Sequence, residues 1–91
     1  MKTRFAKVDA NQDAIVEAYR GLGCTVTSLA GLGRGVPDLL VGLKGRLALV
    51  EVKQPKGKLQ PLQEEFRKVW PVRIVRSTED VIAHVQALRA A

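Results

Sequence analysis

The sequence predicts an α/β domain in which a mixed central sheet is flanked by helices, in the order helix, three strands, helix, strand, helix. Three observations carry this reading. Two apolar runs, Pro37 to Leu43 and Arg46 to Lys53, flank Lys44-Gly45, a residue–glycine pair of the kind that closes a β-hairpin. Both runs are apolar at odd and even positions alike, as in central strands covered on both faces. Three further segments carry apolar residues at helical spacing, bounded by capping residues and breakers.

Each element has its own signals. Asp9 to Leu22 reads as a helix, with Asp9 as cap and Gln12 completing a capping box. Ile15, Ala18, Tyr19 and Leu22 form its apolar stripe, and Gly21 and Gly23 end it. Cys24 to Leu29 is rich in β-branched residues and reads as a strand. Gly31 to Gly35 is a glycine loop that lacks the Gly-Lys-Ser/Thr ending of a phosphate-binding loop. After the hairpin, Gln54 to Lys58 is a polar, basic loop. Pro61 opens a second helix through Trp70, with Leu62, Phe66 and Val69 on one face, and Pro71 stops it. Val72 to Val75 is a short strand. Ser77 caps the last helix, with Asp80 at the box position and Val81, Ile82, Val85 and Leu88 turned inward. The strand–helix–strand unit calls for a right-handed crossover between parallel strands.

At 91 residues the chain has room for one domain, residues 8–91, preceded by a basic arm over residues 1–7 with Lys2, Arg4 and Lys7. Fifteen Lys and Arg against nine Asp and Glu leave a net charge of +6, which favours a polyanionic partner, nucleic acid above all. One cysteine, Cys24, excludes an intrachain disulfide and a cysteine zinc cluster. One histidine, His84, excludes a metal site built on several histidines. No apolar run is long enough to span a membrane, and Met1 to Lys7 has no signal-peptide core. The expected setting is a reducing cytoplasm.

Three charged residues stand where strands should be apolar: Asp38, Glu51 and Lys53. Glu51 and Lys53 are two apart and share a strand face. With Lys44 and Gly45 as the turn, Asp38 and Glu51 fall directly opposite each other at a non-hydrogen-bonded position, with Cβ atoms ~4.5–5.5 Å apart. Two carboxylates so close need a shared proton or a cation. Oxygen ligands alone favour Mg2+ or Mn2+, bound by Asp38, Glu51 and the Val52 carbonyl. Such an ion would polarise a phosphate and activate water, with Lys53 positioning that water or offsetting charge on the phosphorus. The chemistry is phosphodiester hydrolysis. The plainer reading is a structural salt bridge at a strand end.

Pro37-Asp38, followed thirteen residues later by Glu51-Val52-Lys53, resembles the PD-(D/E)xK nuclease motif. More narrowly, Gly35 to Gly42, Leu49 to Lys53 and Leu59 to Gln63 are similar to the VRR-NUC family (virus-type replication-repair nucleases) in its small stand-alone phage and bacterial form. The resemblance covers nearly the whole chain. It implies a restriction-endonuclease-like core and a homodimer that cuts branched DNA as Holliday-junction resolvases do, with Mg2+ or Mn2+ and no organic cofactor. Carried over by position, it makes Asp38 and Glu51 metal ligands, Lys53 the catalytic lysine and Gln63 a glutamine bordering the site. Many members place a glutamate near the start of the first helix. Here Asn11-Gln12 stand there, so a second metal is in doubt.

The remaining candidates have competing readings. Gln12 is a good capping residue whatever the function, and Gln63 could be a plain surface residue. Arg34, Lys56 and Lys58 neighbour Asp38 and Lys53 in sequence and could grip phosphates or simply be solvated. Phe66 and Trp70 read as core rather than as a stacking platform, and His84 and Cys24 as structural. The rival to an enzyme is a DNA- or RNA-binding module of the same fold without turnover.

Overall fold

The computed structural model describes residues 10–91. The basic arm over residues 1–7 and the capping role given to Asp9 lie outside the described residues. Helix α1 spans Ala10–Gly21, strand β1 Thr25–Ser28, β2 Leu39–Leu43, β3 Arg46–Val52, helix α2 Pro61–Val69, β4 Val72–Val75 and helix α3 Thr78–Ala90. The order is the one the sequence predicts. A turn of 3-10 helix, Ala30–Leu32, overlaps the start of the glycine loop. The first strand starts one residue later than predicted because the Cys24 N–H is taken by the Tyr19 carbonyl at the end of α1.

The four strands lie side by side in sequence order. The β2–β3 register runs from Leu43 opposite Arg46 to Leu39 opposite Val50, as the hairpin argument requires. Lys44 and Gly45 both have positive φ, 52° and 82°, the combination that matches a two-residue turn to the twist of its strands. Past α2 the chain returns parallel to β3, with Glu51 beside Ile74 and Val52 beside Val75. The sheet is therefore mixed.

The core lies on one face of the sheet. Leu39, Val41 and Leu43 point into it from β2, Val50 from β3 and Val75 from β4. Ile15 and Tyr19 of α1 and Val81 and Val85 of α3 close over them. Each such side chain contributes about 1.5–3 kcal/mol by leaving water. The Tyr19 hydroxyl meets His84 Nδ1 at 2.6 Å, so both buried polar groups are satisfied. Cys24 is buried beside them as a small apolar residue.

Three expectations need correcting. The second face of the sheet is not covered along its length, and Leu47 is 70% exposed. Helix α2 contributes no buried residue. Its stripe of Leu62 and Val69 faces solvent, and so does Trp70, stacked on a half-buried Phe66 with ring centroids 5.9 Å apart. In α3, Ile82 is 46% exposed, because Val81 and Val85 already fill the single inward row. The periodicity identified the helices correctly, but an apolar stripe does not say whether the same chain supplies the surface that covers it.

The glycine loop docks on α2. Gly35 has φ of 80°, and a Cβ there would strike the Leu62 carbonyl and stand 2.9 Å from the Gln63 nitrogen. Gly31 faces open space. Gly35→Ala is expected to cost about 2–4 kcal/mol, from the left-handed backbone and the collision together. Gly31→Ala is expected to stay within ~0.5 kcal/mol of wild type. Equal denaturation midpoints for the two variants would contradict this packing.

Candidate active site

The site forms where β2 begins and β3 ends. Glu51 is the next-to-last residue of β3, on the opposite face from Val50, and is only 3% exposed. Asp38 immediately precedes β2. Its Oδ2 accepts a hydrogen bond of 2.8 Å from the Val52 N–H, so its carboxylate spans the gap between the two strands. Continued antiparallel pairing would set Pro37 against Val52, but proline has no N–H to give the Val52 carbonyl. The ladder stops there and Asp38 takes over.

Lys53 follows directly, its N–H donating to the Val75 carbonyl at 3.0 Å. That bond keeps it in the strand's alternation, so its side chain shares the Glu51 face. Lys53 Nζ stands 3.6 Å from Glu51 Oε2, with both side chains largely shielded. Gln63, in the first turn of α2, donates from Nε2 to the same Glu51 oxygen at 3.1 Å. Its Oε1 accepts from the Gln60 N–H at 2.8 Å, so one side chain both caps α2 and ties it to Glu51. Asn11, in the first turn of α1, donates from Nδ2 to the Lys53 carbonyl at 2.9 Å.

The electrostatics follow from this crowding. Burial raises the Glu51 pKa, the negative charge of Asp38 raises it further and Lys53 opposes both; the balance stands at about 7. A carboxyl so placed seeks either a proton or a second cation.

Asp38, Glu51 and Lys53 are thus brought together, with Gln63 and Asn11 in direct support. Gln12 follows Asn11 in α1 and is half-buried. Arg34, Lys56 and Lys58 are exposed on the two flanking loops. Arg34 sits at φ of 57° between Gly33 and Gly35. Trp70 and Phe66 are not core, as described above. His84 belongs to the Tyr19 pair in the core. One residue that no motif marked also matters: Arg76, just past β4, whose side chain reaches the loop after Lys53. The only signal was a cation at a strand end.

Among the described residues no group of three or more His, Cys, Asp or Glu side chains could hold a metal. The donor set is smaller: two carboxylates and the carbonyl of Val52. All are oxygens, the donor type of a hard divalent ion, and such an ion would offset the charge of a buried glutamate beside an aspartate. No helix among the described residues is long and apolar enough to cross a membrane. No protein-family model, curated protein or solved structure matches the chain.

The pH dependence has a definite sign. A carboxyl with a raised folded-state pKa contributes stability below its unfolded pKa and loses it as pH rises through the folded value. Without divalent ions, wild type is expected to lose stability between about pH 4.5 and pH 7. Glu51→Gln is expected to match wild type near pH 4 and to exceed it at pH 8, by on the order of 1–3 kcal/mol. Urea denaturation at the two pH values measures this, and parallel behaviour of the two proteins would rule out a strained Glu51.

Proposed function

We propose that the chain is a metal-dependent deoxyribonuclease of the VRR-NUC type, with a PD-(D/E)xK core, that hydrolyses phosphodiester bonds in branched DNA. The observation that carries this reading is the meeting of Asp38, a buried Glu51 and Lys53 at the end of the β2–β3 hairpin. The helix–three strands–helix–strand–helix order and the mixed sheet support it.

Asp38, Glu51 and the Val52 carbonyl would hold Mg2+ or Mn2+, which when bound supplies Lewis-acid activation of the phosphate and of the attacking water. The chain's own groups do the rest. Lys53 brings a positive charge to the phosphate as negative charge builds on its oxygens. Gln63 fixes which way the Glu51 carboxylate faces, and Asn11 fixes the backbone that carries Lys53. Arg34, Lys56 and Lys58 supply phosphate contacts along the strand, in keeping with the charge of +6.

The active form we propose is a homodimer joined through α2. Its exposed stripe is apolar, and its charges cancel locally: Glu64 lies 3.8 Å from Arg67, and Glu65 lies 2.9 Å from Lys68. A neutral apolar patch on a basic chain lets two copies meet without like-charge repulsion, whereas it offers little to a polyanion. A two-fold pair would present two sites to the two strands of a junction.

Two measurements test the proposal. With Mn2+ and a panel of junction, flap, splayed and duplex DNAs, wild type is expected to cut branched substrates. Asp38→Ala, Glu51→Gln and Lys53→Ala are each expected to lose at least ~100-fold in rate, with binding in EDTA largely kept. Absence of metal-dependent cutting would leave the non-catalytic binding module. In sedimentation, wild type is expected at twice the chain mass and Val69→Glu as a monomer; a monomeric wild type ends the dimer reading.

A further inference from the structure

The loop after Lys53 is built as a closed turn and held from outside. The Gly57 N–H donates to the Gln54 carbonyl at 2.9 Å, with Pro55 and Lys56 between them. Pro55 presets one turn dihedral. A Cβ on Gly57 would stand 3.3 Å from both the nitrogen and the oxygen of Gln54, so the turn is tight.

Arg76 grips this turn at both ends. Its Nη1 donates to the Gln54 carbonyl at 2.9 Å and to the Gly57 carbonyl at 2.6 Å. Arg76 is itself anchored: its N–H donates to Asp80 Oδ2 at 2.8 Å, and the Asp80 N–H donates to the Ser77 hydroxyl at 3.2 Å. The chain of contacts runs from the first turn of α3, through Arg76, to the turn carrying Lys56. Charge-assisted bonds to two carbonyls hold more firmly than neutral ones. Together they engage both hydrogens of Nη1.

We propose that Arg76 is a positioning residue that preorders the Gln54–Gly57 turn, so that Lys56 is presented to a nucleic-acid phosphate beside Lys53. The proposal rests on the nuclease reading only for its polyanion. A preformed turn spares the ordering cost that a free loop would meet on binding. Lys56 sits between the two clamped carbonyls with its side chain in solvent. On this proposal Arg76 acts through Lys56, and the double-mutant cycle separates that from a direct contact with DNA.

The test is a double-mutant cycle with a fluorescein-labelled splayed-arm DNA, read by anisotropy in EDTA across a salt series. Lys56→Gln is expected to weaken binding several-fold and to lower the salt slope by about 1. Arg76→Gln is expected to weaken binding by a similar factor, to leave far-UV circular dichroism unchanged and to speed tryptic cleavage after Lys56. The double variant is expected to bind no worse than Lys56→Gln alone, and Arg76→Lys to recover part of the loss. Losses that multiply in the double variant would overturn the proposal, since Arg76 would then act independently of Lys56. So would normal binding by Arg76→Gln despite faster tryptic cleavage, which would leave a structural staple. If Arg76→Gln does not fold, Gly57→Ala disturbs the same turn directly and is expected to lose the same affinity; wild-type affinity there overturns the proposal. A wild type that binds no DNA ends the nuclease reading and this one together, whereas equal binding by wild type and Arg76→Gln ends the clamp alone.

Discussion

A carboxylate buried beside another carboxylate is the constraint around which this chain is organised. Taking Glu51 out of water costs several kcal/mol unless its charge is met, and Asp38 adds to the debt. The neighbourhood answers with Lys53 on the same strand face and with the Gln63 amide from α2. Those two contacts also explain local architecture. Helix α2 has no fully buried residue, yet its first turn is fixed by a glutamine that caps the helix and reaches the carboxylate. Gly35 then lets the preceding loop lie flush against that turn. The first turn of α1 contributes Asn11 to the strand end. Elements far apart in the chain converge on one polar spot at the rim of the sheet.

Much of this was legible in the sequence because it follows from parity and spacing. A two-residue turn fixes the β2–β3 register, and the register alone puts Asp38 against the end of β3 and Glu51 on the Lys53 face. The Ser77 cap marked the start of α3, Pro61 the start of α2 and Gly21 the end of α1. What was not legible depends on how elements meet across space. Nothing in Leu62, Phe66, Val69 and Trp70 says that their stripe remains open, since the pattern of a covered helix and an uncovered one is the same. Asn11 and Gln63 were suggested by a family resemblance, but their particular partners, a lysine carbonyl and a carboxylate oxygen, come only from the folded chain. Arg76 was invisible because its partners are backbone carbonyls, which have no residue signature.

The charge of +6 is unevenly spent. Helix α2 is locally neutral through its own ion pairs, while exposed cations gather on the loops before Asp38 and after Lys53. One chain thereby separates an apolar, locally neutral surface from a basic one. The two acids at the site, Asp38 and Glu51, oppose the overall sign.

The Lys44-Gly45 turn has a further consequence for how this protein can change. Because strand side chains alternate, a slip of one residue in the pairing would swing a whole strand face over. Glu51 and Lys53 would turn into the apolar layer, and Val50 and Val52 would come out in their place. The hairpin is thus a gauge whose length is set by the chemistry at its far end. Insertions and deletions should be accepted in the glycine loop around Gly31 far more readily than at this turn, which touches no part of the site and yet keeps it in phase.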